Sequence, residues 1–140
     1  MAVRVINSAD KHKHEDCIQM RIDRCKQSNL GNPFYMSAKE SDEERKAVIR
    51  AFRMYLWQSI QLVEKGEGYK KAEVDVIAKK CGVRFYHAVA KSSNSVVNAV
   101  KEIMFEDNFN KEDIALVCWC KPQACHGDVI ISCIEWMNTK

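Results

Sequence analysis

The chain has 140 residues, enough for one domain with a real core, and its 46% apolar and 29% charged residues, both signs interspersed, exclude a disordered or low-complexity protein. The formal net charge of +3 is mild, and no stripe of Lys and Arg is interleaved with aromatics. This argues against nucleic acid as a partner and favours a small anionic ligand.

No apolar run approaches the roughly 18 residues of a membrane helix. The opening MAVRVINSADK lacks the apolar stretch of a signal peptide. A cytoplasmic protein with no membrane partner is therefore expected. In that reducing setting the seven cysteines are expected to be thiols rather than a disulfide framework.

In chain order, VRVIN (3–7) reads as a buried strand, followed by a polar loop carrying His12 and His14. CIQMRIDR (17–24) alternates, with Ile18, Met20 and Ile22 on one face, and reads as a half-buried strand. CKQSNLGNPFYM is rich in turn formers and reads as an ordered loop. Residues 41–65 form the clearest helix: Ser41 and Glu44 have capping-box spacing, and Gly66 ends the helix. Val48, Phe52, Tyr55, Leu56, Ser59 and Leu62 supply its apolar period.

A second helix is expected over 70–80, stopped by Gly82. FYHAVA (85–90) is open between strand and helix, and its His87 reads as a partly buried histidine. A third helix is expected over about 94–105, with Val97, Val100 and Met104 as its core stripe. Residues 114–120 form the best buried strand, stopped by Pro122, and a final helix is expected from Gly127 or Asp128. Strands alternating with helices predict a single α/β domain with a short, mainly parallel sheet flanked by helices. Ligands in such folds sit beyond the carboxyl ends of the strands.

The segment LVCWCKPQACHGDVI concentrates the chemistry. On a strand, Cys118 and Cys120 point to one side and Trp119 to the other. Each cysteine is read first as packing. Cys118, Cys120, Cys125 and His126 are the residue types of a zinc site, but adjacent Cys-His ligands and the missing second knuckle argue against a metal. Cys125 stands just before a helix start, where N–H groups and the dipole favour negative charge and lower a thiol's pKa. Three readings of this turn stay open: ligand binding, a Cys125 nucleophile with His126 as acid–base partner, or capping by His126 and Asp128.

In LGNPF, Gly31 permits positive φ and Pro33 fixes its neighbour. Asn29 and Asn32 offer donors and acceptors, and Phe34 or Tyr35 offers a face for a base or plugs the core. Arg4 and Arg24 could supply forked donors for phosphate. No paired carboxylates, phosphate loop, serine elbow or HExxH motif occurs.

VRVIN, then NLGNPF, then the terminal CWCKPQACHGD, in that order, resemble the uncharacterised bacterial and phage family catalogued as domain of unknown function 4326. Arg24 matches an arginine that its members carry shortly before LGNPF. The resemblance covers both ends and the first long helix and implies an α/β fold. It also implies one shared site of Arg24, Asn29, Gly31, Asn32, Cys118, Cys120, Cys125, His126 and Asp128. Residues 66–105 look longer than the family's usual middle and are expected to cover the site or to build a homo-oligomer contact.

With Arg4, Asn7, Phe34 and Gly127 added, these residues are expected to bind a nucleotide-derived small molecule without a cofactor. Phage genomes are a frequent home of such domains, so the expected role is sequestration of a host immune signalling nucleotide. The alternatives are a cysteine-dependent enzyme acting through Cys125 and His126 on a nucleotide or nucleoside, and a protein–protein inhibitor, which an exposed Trp57 or Trp136 would favour.

Overall fold

The β-branched run VRVIN forms strand β1 (Val3–Asn7), and IQMR forms β2 (Ile18–Arg21). A computed structural model describes these strands together with the rest of residues 3–10, 16–22, 28–36, 41–106, 113–118 and 125–139. Strand β5 (Ile114–Cys118) lies between β1 and β2 and pairs in parallel with both. Asn7, Arg21 and Cys118 therefore end their strands at the same edge of the sheet.

A central strand must be apolar on both faces, and Ile114, Ala115, Leu116 and Val117 are all buried. Ile114 and Leu116 join the main core, as do Ile18 and Met20 of β2, whereas Gln19 and Arg21 are exposed. Ala115 and Val117 form a second cluster with Ile6, and Cys17 packs against it.

Helix α1 (Asp42–Glu64) covers the main-core face. Ser41 Oγ accepts from the Glu44 N–H at 3.1 Å, and Asp42, Glu43 and Glu44 complement the positive end of the dipole. Val48, Ala51, Phe52, Tyr55, Leu56, Ser59 and Ile60 are buried, while Leu62 of the expected stripe is only partly so. Gly66, at φ 77°, turns the chain away.

Helix α2 (Val74–Cys81) starts later than expected, because the residues before it are paired elsewhere. Lys71 bridges to Ser92, and Lys70 O accepts from the Ser93 N–H at 2.9 Å and from Ser93 Oγ at 2.7 Å. The segment that read ambiguously divides. Strand β4 (Arg84–Phe85) pairs antiparallel with β3 (Phe34–Tyr35), and a single 3₁₀ turn, His87–Val89, follows.

Helix α3 (Ser93–Phe105) is capped by Ser92, and its core stripe is Val96, Val97, Val100 and Ile103 rather than one ending at Met104. The Tyr55 hydroxyl accepts from the Lys91 N–H at 3.1 Å, and Ser59 Oγ donates to Tyr55 O at 2.9 Å. These bonds satisfy polar groups that burial would otherwise penalise. Residues 66–105 thus pack into the same core as α1 and helix α4 (His126–Asn138). Among the described residues, no helix is long and apolar enough to cross a membrane.

Candidate functional site

Beyond the carboxyl ends of β2 and β5, the start of α4 meets the LGNPF loop. His126 joins them. Its ring is buried edge-on to Phe52, with centroids 4.8 Å apart. Nε2 lies 2.6 Å from Ile22 O and 3.1 Å from Leu30 O. Carbonyl oxygens only accept, so Nε2 carries the proton and donates to both. One side chain thereby holds the chain on either side of residues 23–27.

The loop is rigid for local reasons as well. Ser28 Oγ donates to Arg21 O at 2.9 Å and accepts from the Leu30 N–H at 3.3 Å. Asn32 Oδ1 accepts from the Phe34 N–H at 3.0 Å, the turn that a short amide side chain makes with its own backbone. Pro33 O accepts from the Tyr86 N–H at 2.8 Å, which ties the loop to β4. Ser28, Leu30, Gly31, Asn32, Pro33 and Phe34 are buried and Asn29 is exposed. Left-handed φ is found at Gly66 and Gly82, where helices end.

The start of α4 lies earlier than the sequence led us to expect, and Cys125 is its N-cap. Cys125 Sγ accepts from the Gly127 N–H at 3.3 Å, and Asp128 Oδ2 accepts from the Cys125 N–H at 3.1 Å. This is a capping box with a thiol where serine is usual. The N–H of Asp128 goes to Cys125 O at 3.1 Å. The anion site expected at this helix start is therefore occupied by the chain's own groups, including a carboxylate. Gly127 is present because nothing larger fits: an added Cβ would stand 2.7 Å from Val5 Cγ2 and 3.0 Å from Ile22 Cδ1.

The expected residues are only partly brought together. Ile22, Ser28, Leu30, Cys125, His126 and Asp128 are linked through hydrogen bonds and the short stretches of backbone between them, whereas Asn32 bonds to the Phe34 N–H within its own turn. Asn7 ends β1 at the same sheet edge, with Oδ1 accepting from the Ala9 N–H at 2.9 Å. Arg4 lies elsewhere, early in β1, where its guanidinium stands 3.8 Å from Asp113 and donates to Cys17 Sγ.

Phe34 is fully buried with its ring edge-on to Tyr55, so it plugs the core and presents no face to a ligand. Its neighbour Tyr35 stacks on the exposed Tyr86, ring centroids 4.1 Å apart and planes 17° from parallel. His87, expected to be partly buried, is exposed. Arg24, Trp119, Cys120, His12 and His14 lie outside the described residues, and of Cys118 only the backbone is described.

Ser28, Phe52 and Tyr86 were not among the expected site residues. Ser28 carries the one sequence signal that was available, a hydroxyl two residues before a turn. Burial pushes the Tyr55 hydroxyl pKa above its ordinary value, with the Lys91 N–H opposing. Burial also raises the Cys133 thiol.

The fold and this clamped edge define a small α/β domain built on a three-stranded parallel sheet. The chain belongs to the family described as Domain of unknown function (DUF4326), whose model matches residues 6–136. No curated protein and no solved structure matches it.

Proposed function

We propose that the carboxyl edge of the sheet captures a nucleotide-derived small molecule and holds it without turnover. The observation that carries this reading is the double hydrogen bond from His126 to Ile22 and Leu30. It fixes the loop and the helix start as one preformed wall, so little ordering cost is left for a ligand to meet. Asn29 is exposed on that wall, and Asp128 is partly exposed with a carboxylate suited to ribose hydroxyls. The Tyr35–Tyr86 stack, tied to the same loop through Pro33, offers a face for a base.

Binding is favoured over cysteine chemistry because Cys125 is buried and its sulfur accepts from the helix, while His126 Nε2 is committed to two carbonyls. The biological role we attach to this reading is a phage protein that removes a host immune nucleotide signal.

The test is to mix the protein with a panel of cyclic and NAD-derived nucleotides, measure the free nucleotide, then heat the sample and measure again. Depletion followed by intact recovery is expected. Conversion to a new species would replace the binder with an enzyme, and no depletion would reject this class of ligand. A second reading, an inhibitor that seats on another protein, draws support from the exposure of Trp57 and Trp136.

A further inference from the structure

Away from that edge, α1 and α4 leave an apolar groove of about 230 Å³ between them. Leu56, Ile60, Val129 and Cys133 line it beside Trp57 and Trp136. The two indoles meet edge to face with centroids 5.2 Å apart, yet Trp57 is 48% and Trp136 38% exposed. Two large rings left half in water at the mouth of an apolar groove mark a surface that a partner covers.

The charges along α1 indicate which partner. At about 100° per residue, Lys46, Arg53, Trp57, Ile60 and Glu64 fall within roughly 60° of one another around the helix. Lys46, Arg50 and Arg53 are exposed on the N-terminal side of Trp57, and Glu64 is exposed three turns beyond Arg53. The stripe is thus basic, then aromatic, then acidic. Turned end for end, its Arg53 and Glu64 positions are complementary. A two-fold axis passing between Trp57 and Ile60 sets Arg53 opposite Glu64 of the partner subunit, and symmetry repeats the pair. The same operation sets Trp57 opposite Ile60 of the partner subunit, beside the groove that both residues line.

We propose that this face is the interface of an isologous dimer, with α1 antiparallel to its copy and the Arg53–Glu64 pairs flanking buried Trp57. The proposal stands apart from the ligand reading, since it uses neither the loop nor the α4 start.

Light scattering on the 140-residue chain should give twice the 16.1 kDa chain mass. Arg53→Glu turns two exposed pairs repulsive at once and should weaken association about tenfold. Adding Glu64→Arg to that variant should restore it, and Trp57→Ala should give a monomer with unchanged circular dichroism. A wild-type chain that stays monomeric at the highest soluble concentration overturns the proposal and leaves the groove to a different protein. A dimer indifferent to both single substitutions overturns it by placing the interface elsewhere. Failure of the Arg53→Glu, Glu64→Arg chain to recover overturns the antiparallel pairing.

Discussion

At position 127 the fold has room for a hydrogen atom and no more. The first turn of α4 lies so close to β1 that a methyl group would overlap Val5 and press on Ile22. Gly127→Ala should therefore cost roughly 1–3 kcal/mol in overpacking, read as a lower urea midpoint. Val5→Ala in the same chain should return part of the loss, because it removes the atoms the new methyl meets. Cys125, two residues earlier, tests the site chemistry more directly. Cys125→Ser keeps an acceptor for the Gly127 N–H and should hold stability, whereas Cys125→Ala should lose about 1 kcal/mol. If Cys125 acts only as a cap, the serine chain also keeps nucleotide capture. Loss of capture with stability intact would show that the sulfur itself is needed.

Among the elements, the histidine clamp is what turns a helix start and a loop into one structure. His126→Ala leaves Ile22 O and Leu30 O without their shared donor and opens a gap beside Phe52. We expect a loss of roughly 2–4 kcal/mol. Amide exchange should rise at Leu30 and Phe34 well before it rises in α1 or α3. Equal acceleration everywhere would mean the loop is not a separate unit.

This clamp also marks the limit of sequence reading. α1 was legible because its cap, its apolar period and its terminal glycine are all local signals. α4 was expected one or two residues late because cysteine is a rare N-cap, which draws attention to Gly127 and Asp128 instead. The pairing of Phe34–Tyr35 with Arg84–Phe85, and of His126 with carbonyls 104 and 96 residues away, leaves no local trace. The motif residues were recognisable as a set. Their division into wall, cap and core plug was not, since Asn32, Phe34 and Cys125 differ from site residues only in burial.

Across the whole molecule, α1 is the common support, and Tyr55 at its centre links stability to pH. Burial raises its hydroxyl pKa above 10.0 in the folded chain. Below pH 10 the group is protonated in both states and its contribution is complete. As pH climbs past that ordinary value, the unfolded chain loses its proton first and stability falls, until the folded hydroxyl also titrates. Tyr55→Phe should be less stable at neutral pH by about 1–3 kcal/mol, because the Lys91 N–H loses its acceptor. Its urea midpoint should also fall less steeply than that of wild type between about pH 9.5 and 11. Parallel slopes would remove Tyr55 as the source.

The strand order has a consequence for how the chain is made. β1 and β2 each pair with β5, and Val3 meets Ile114 across more than a hundred residues of intervening sequence. A nascent chain emerges N-terminus first, so β1 and β2 must wait for their shared neighbour while α1, α2 and α3 find local partners. Until the last quarter of the polypeptide arrives, Ile6, Ile18 and Ile22 have no finished sheet to enter. That high contact order makes folding slow. It also leaves the two waiting strands as the segments a chaperone would meet first, and a chain broken off before residue 114 would have α1, α2 and α3 but neither α4 nor the β5 that joins β1 to β2.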